Sequence, residues 1–117
     1  MPLTVLIVDD HEEFRRSARE LLELEGWIVV GEAADGAGTM REVARLHPDL
    51  VLLDIQLPDI DGFIVAERLA AGSHPPGVVL ISSRDADAYG SALDTAPARG
   101  FLPKRLLSGA ALADLMR

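Results

Sequence analysis

The sequence contains no cysteine, which excludes disulfides, thiol chemistry and cysteine-based zinc sites. It is short of positive charge: 11 Lys and Arg stand against 19 Asp and Glu, a formal net charge of −8. That balance disfavours binding to a phosphate backbone, so no nucleic-acid contact is expected of this chain alone. No apolar run approaches the roughly 20 residues needed to cross a bilayer. The start, Met1-Pro2-Leu3-Thr4, lacks a basic region followed by an apolar signal segment. These absences point to a soluble cytoplasmic protein with no membrane partner. Internal repeats, linkers and low-complexity segments are also missing. The 117 residues, 49% of them apolar, suffice for one domain built on a single core.

One stretch organises what is present: Asp49-Leu50-Val51-Leu52-Leu53-Asp54-Ile55-Gln56-Leu57-Pro58-Asp59-Ile60-Asp61-Gly62. Leu50 to Leu53 is apolar without alternation, the pattern of a strand buried on both faces. Asp54 then ends a central strand, where open α/β sheets carry their chemistry. The Pro-containing segment after it reads as a loop. On its own, Asp54 is either a reactive carboxylate or a helix-capping one, and its partners decide.

Leu3 to Val8 reads as a first buried strand ending at Asp9-Asp10. Glu12 and Glu13 open a helix carrying Phe14, Ala18, Leu21 and Leu22, with Gly26 as its stop. Trp27 to Val30 forms a second strand and Gly31 to Gly36 a turn region. Met40, Val43, Ala44 and Leu46 outline a second helix, stopped before Pro48. Asp61 caps a third helix with Phe63, Ile64, Ala66 and Leu69, ending near Gly72. Val78 to Ile81 is a fourth strand, closed by Ser82-Ser83. Asp85 to Thr95 is the weakest helix, since it contains Gly90 and precedes Pro97. Phe101-Leu102 is a short fifth strand running into Pro103-Lys104, and Ser108 caps a last helix with Ala111, Leu112 and Leu115 inward. This alternation implies a parallel sheet covered on both faces. The expected fold is α/β: a flavodoxin-like (βα)5 three-layer sandwich with strand order 2-1-3-4-5, its switch point between the first and third strands.

That topology gathers Asp9, Asp10, Asp54, Ser82 and Lys104 on one rim. Three crowded carboxylates repel one another, and one Lys does not neutralise them. A hard divalent ion such as Mg²⁺ fits, since it takes carboxylates, a carbonyl and waters. Carboxylate, Mg²⁺, Lys and hydroxyl together suit phosphoryl transfer. Asp54 acts as nucleophile, Lys104 and the metal neutralise phosphoryl oxygens, and Ser82 donates a hydrogen bond. No His, Cys or Tyr is required; the only Tyr, Tyr89, falls in the weak helix.

Val8-Asp9-Asp10-His11, Leu53-Asp54 with Pro58 and Asp61-Gly62, Ser82-Ser83, and Gly100-Phe101-Leu102-Pro103-Lys104 resemble the receiver domain of two-component response regulators. The likeness spans the chain in order and spacing and is nearest to LuxR/NarL-type receivers, though no output domain follows within residues 1–117. The resemblance implies that Asp54 is the phosphoacceptor. It implies that Asp10 binds Mg²⁺ directly, Asp9 mostly through water, and the Gln56 backbone carbonyl as a further ligand. Ser82 and Phe101 resemble the two switch residues, and Lys104 the paired lysine. The implied donor is a phosphohistidine on a sensor histidine kinase or phosphotransfer protein. The implied output face is helix four, strand five and helix five, roughly Asp87 to Arg117, acting on an output domain or partner in transcription regulation and leaving room for a homodimer on phosphorylation. Arg105 follows the lysine where many members carry Pro, and Phe101 lacks the hydroxyl of a Tyr.

Blander readings stand beside these. Asp9-Asp10 also suits capping of the first helix, Phe101 a plain core position, and His11, His47 and His74 surface or capping roles. Arg84 either shields the phosphoryl group or points to water. A phosphatase would need a second acid near the nucleophile, and Gln56 stands two residues after Asp54. A pure interaction module would have no use for the full set of acids, hydroxyl and lysine.

Overall fold

The computed structural model describes residues 3–117; Met1 and Pro2, on which part of the leader argument rests, lie outside the described residues. Five parallel strands, β1 (Thr4–Val8), β2 (Ile28–Ala33), β3 (Leu50–Asp54), β4 (Gly77–Ser82) and β5 (Gly100–Pro103), form one sheet. Their order is β2-β1-β3-β4-β5, as expected. Between them run α1 (Glu12–Leu24), α2 (Gly36–Leu46), α3 (Gly62–Ala70) and a short α4 (Ala92–Thr95), and α5 (Gly109–Leu115) follows β5.

Period-two alternation divides the strand side chains between two cores. Val5, Ile7, Leu50, Leu52, Val79 and Ile81 pack with Ala18 and Leu22 of α1, Trp27, and Leu112 of α5. Leu6, Val8, Val51, Leu53, Val78 and Leu80 pack on the other face with Val65, Ala66 and Leu69 of α3. Met40, Val43 and Leu46 of α2 close that side. With both faces covered, Leu50 to Leu53 is fully buried, which is why it carries no polar alternation.

Side-chain caps open α3 and α5 as expected, and α2 by a residue that the sequence reading leaves in a turn region. Asp35 accepts from Gly38 N at the head of α2, Asp61 from Phe63 N at α3, and Ser108 from Ala111 N at α5. Two elements differ in detail from the sequence reading. β2 begins after Trp27 and runs on through Gly31 to Ala33, because pairing with Leu6 to Val8 of β1 carries it past the glycine. In α3, Val65 is buried and Ile64 is exposed, so the inward face is turned by one residue.

The larger departure is helix four. Residues Asp85 to Thr95 do not form one helix: a 3-10 turn at Ala86–Ala88 is followed by Tyr89, Gly90 and only four α-helical residues. Gly90 has φ +55°, a left-handed conformation that interrupts the ladder and that other residues adopt at a cost.

The loop after β3 is folded back on the strand end. Gly62 N donates to Ile55 O at 2.8 Å, and a Cβ at Gly62 would lie 2.5 Å from Asp54 O and 2.7 Å from Ile55 Cα. Backbone cannot give way as a side-chain tip can, so the Asp61-Gly62 pair couples a cap to a required close approach. Asp59 ties the same loop to α2 by accepting from Gly36 N at 2.8 Å and Ala37 N at 3.0 Å, and these bonds hold its carboxyl below the usual range. Gly62→Ala is expected to lower stability by about 1–3 kcal/mol through overpacking. Gly90→Ala is expected to cost about 1 kcal/mol for the left-handed backbone. Urea unfolding of each variant checks both.

Candidate functional site

β1, β3, β4 and β5 end on one rim, and the residues at or just past their carboxyl ends are polar yet buried: Asp9 is 0% exposed, Asp54 2% and Ser82 0%. Backbone and arginine contacts hold Asp9. Its N–H donates to Ala33 O at 3.0 Å, and its carbonyl accepts from Arg15 Nη1 at 2.6 Å. Arg15 is in turn fixed by Glu32, whose carboxylate takes Arg15 Nε and Arg19 Nε, each at 2.9 Å.

The carboxylates meet Lys104, which enters from the end of β5. Lys104 Nζ lies 2.5 Å from Asp9 Oδ2 and 3.4 Å from Asp54 Oδ2, and 4.7 Å above the centre of the Phe14 ring. Asp9 Oδ2 makes no hydrogen bond of ordinary geometry, so only the charge of Lys104 balances it. Asp54 Oδ1 accepts from Gln56 N at 3.0 Å. Burial raises the Asp54 carboxyl to about 6, helped by the charge of Asp9 and opposed by the Gln56 hydrogen bond and by Lys104. Burial alone would lower Lys104, but its close contact with Asp9 and the charges of Asp54 and Asp9 leave it raised above 10.5.

Asp9, Asp10, Asp54 and His11 each present one ligand atom, and all four atoms lie within 4.8 Å of one another. Three carboxylates, one with an oxygen lacking a hydrogen bond, fit a hard divalent cation. His11 was expected at the surface or as a cap. It does stand at the N-cap position of α1, 69% exposed, but its Nδ1 lies 3.1 Å from Asp9 Oδ1 and 3.0 Å from Asp10 Oδ1. Its adjacency to the Asp pair was the available signal. Neither Asp9 nor Asp10 caps the helix: Asp9 Oδ1 accepts from His11 N, ahead of the first turn.

Ser82 reaches the rim but turns to partners other than Asp54. Its Oγ accepts from Arg84 N at 3.0 Å and lies 2.5 Å from Tyr89 Oη. The Arg84 side chain is exposed. The Tyr89 ring packs edge-on to Phe63 at 5.9 Å and to Phe101 at 6.0 Å. Phe101 is half-buried and belongs to the core on the α2–α3 side. Tyr89 had been set aside as a residue of a weak helix. Nothing in its spacing pairs it with Ser82.

Residues 5–115 match the family described as the response regulator receiver domain. The chain belongs to that family. The signal receiver domain of the response regulator NarL from Mycobacterium tuberculosis is 34% identical, with a TM-score of 0.89 over 98% of this chain and 96% of that one. A LuxR-family two-component response regulator from Aurantimonas is 26% identical, with a TM-score of 0.84 over 97% of this chain and 81% of that one. The response regulator GacA of Pseudomonas viridiflava is 35% identical over 117 residues, 98% of this chain and 52% of the relative. Curated relatives are generally longer: the receiver spans between 24% and 52% of their length. Some are named protein-glutamate methylesterase/protein-glutamine glutaminase, and the match covers only 27% of such a protein. The fold is the one expected, and the LuxR/NarL likeness holds. Receiver domains bind Mg²⁺ at an acidic pocket and work with histidine kinases or phosphotransfer proteins. Among the described residues, no helix is long and apolar enough to cross a membrane.

The raised Asp54 carboxyl has a measurable consequence. Unfolded, it ionises near 3.8; folded, it keeps its proton up to about 6. The folded state therefore binds more protons between these values, and stability falls as pH rises through that window. Asp54→Asn removes the titration, so the wild type should lose roughly 1–3 kcal/mol relative to the variant across the window and no more above it. Unfolding of both proteins from about pH 4 to about pH 7 measures this; a difference independent of pH contradicts it.

Proposed function

We propose that this receiver is a phosphorylation-driven switch in which Asp54 accepts the phosphoryl group. The observation that carries the reading is the buried Asp54 carboxylate, 3.4 Å from Lys104 Nζ, at the end of the central strand and beside Asp9. The carboxylate is the nucleophilic form, and above about pH 6 it predominates. An Asp54 oxygen forms a bond to phosphorus as the P–N bond of a phosphohistidine breaks, and the bonding pair leaves on the imidazole nitrogen of the donor. Lys104 is already within reach of Asp54 Oδ2 and balances charge on the phosphoryl oxygens, with no large reorganisation. Gln56 N–H holds the other Asp54 oxygen and orients the carboxylate.

Asp10 and Asp54 would hold Mg²⁺, with Asp9 through water and the Gln56 carbonyl as a further ligand; bound there, the ion offsets carboxylate repulsion and phosphoryl charge. Ser82 donates a hydrogen bond to a phosphoryl oxygen once it turns toward Asp54, and Phe101 takes up the space it leaves. The output face is the segment from Asp87 to Arg117. Its α4 portion is short and interrupted, so it yields more readily than a continuous helix. Arg105 Nη1 lies 2.5 Å from Asp85 Oδ1, linking the segment after β4 to the turn after β5, so the two can shift together. That face would act on an output domain, a partner protein or a second phosphorylated copy, the first consistent with a role in transcription regulation.

Incubation with acetyl phosphate and Mg²⁺ should add one phosphoryl group, read by intact mass, and Asp54→Asn should abolish it. Lys104→Met should slow the reaction while leaving the acceptor oxygen in place. Equal labelling of Asp54→Asn moves the acceptor elsewhere and overturns the reading.

A further inference from the structure

Buried Ser82 and part-buried Tyr89 form a hydroxyl pair, and the phosphoacceptor chemistry uses only the first of the two. At 2.5 Å their contact is at the short limit for an O–H···O bond. A serine hydroxyl has one proton and two acceptor sites. Arg84 N–H occupies one acceptor site at 3.0 Å, and Tyr89 Oη takes one of the two remaining directions. Tyr89 is itself held by packing: Phe63 of α3 and Phe101 of β5 both meet its ring edge-on. Its ring also lines a groove of about 390 Å³ with Ile55, Gln56, Leu57 and Asp61 of the loop that follows Asp54. One ring therefore touches the residue that must turn to the phosphoryl group, the aromatic that must follow it, and the loop beside the acceptor.

We infer that Tyr89 is a positioning residue for the phosphoacceptor reaction: its hydroxyl holds Ser82 in the resting arrangement, and a Ser82–phosphoryl hydrogen bond forms only as the Ser82–Tyr89 bond is given up. This rests on the reading of Asp54 as acceptor. A rotamer change at Ser82 swings Oγ between staggered wells and separates it from a partner 2.5 Å away. Tyr89 then loses its hydroxyl partner and faces the groove, where water can take its place. Phe101 has no hydroxyl, so it cannot hold Ser82, and the polar and the packing roles fall to two residues: Tyr89 holds the hydroxyl and Phe101 fills the space. Removing the Tyr89 hydroxyl leaves the buried Ser82 hydroxyl without its resting partner, which favours the arrangement in which Ser82 bonds the phosphoryl group.

The test uses beryllofluoride with Mg²⁺ as the phosphoryl mimic. Tyr89 is the chain's single tyrosine, so tyrosine labelled with ¹³C at the phenol carbon gives one resonance that reports this hydroxyl alone. Saturating beryllofluoride should shift that resonance toward the value of a water-exposed phenol. Tyr89→Phe should bind the mimic about 3- to 10-fold more tightly, the weight of one hydrogen bond lost from the resting state. In a Ser82→Ala background the Tyr89→Phe change should have no further effect, which a purely packing role for the ring does not predict. An unshifted resonance in the saturated wild type, or weaker binding by Tyr89→Phe, overturns the inference while leaving Asp54 as acceptor. Failure of the wild type to bind the mimic or to label with acetyl phosphate overturns both.

Discussion

The rim of the sheet depends on the placement of one ammonium group among carboxylates that topology forces together. Right-handed βαβ crossovers in the order β2-β1-β3-β4-β5 bring the ends of β1 and β3 side by side. Asp9 and Asp54 are thereby buried within reach of each other, and neither can retreat to water. Lys104 contacts both, and the cation–π contact with Phe14 and the end of β5 hold it in place. The balance is incomplete. Asp54 keeps its proton up to about 6, and Asp9 Oδ2 lacks a hydrogen bond of ordinary geometry. A site with surplus negative charge and a buried anionic nucleophile is poised to gain a cation, and to gain further from an incoming electrophile.

The surrounding structure serves that arrangement. Arg15 and Glu32 fix the backbone of Asp9, and Gly62 lets the loop after β3 fold against the backbone of Asp54 and Ile55. Asp59 fastens the same loop to the start of α2. Each contact limits the freedom of a rim residue, so the carboxylates keep their separation without relying on the loop's own stability. The segment after β4 is built differently. It contains a 3-10 turn, a left-handed glycine and four α-helical residues, and Tyr89 and one exposed ion pair, Arg105 with Asp85, do much to tether it. Rigidity at the acceptor and looseness in this neighbour are what a site needs if an event at Asp54 is to move something.

Residues whose environment is uniform along a whole element were legible in the sequence. The buried strands announce themselves because Leu50 to Leu53 and Val78 to Ile81 are covered on both faces, and Asp61 and Ser108 cap helices by local chemistry alone. Asp9, Asp10, Asp54 and Lys104 were legible because strand ends converge wherever the topology is known, and the structure brings those four together. What escaped depends on single backbone angles or on contacts across the chain. Gly90 reads as a weak helical residue until its φ of +55° is seen, and nothing in the spacing of Tyr89 marks it as a partner of Ser82. The His11 ring joins Asp9 and Asp10 by a side-chain orientation that composition does not encode.

The under-neutralised cluster of buried carboxylates is expected to take up a divalent cation in the folded state only. Thermal unfolding across a Mg²⁺ titration tests this most directly, since a ligand bound only to the folded chain stabilises it by mass action. The account predicts a melting temperature that climbs with Mg²⁺, corresponding to about 2.7 kcal/mol at a hundred times the dissociation constant. It also predicts that Asp10→Ala abolishes most of the climb while leaving the metal-free protein as stable as the wild type or more so. A wild-type melting temperature indifferent to millimolar Mg²⁺ would contradict it.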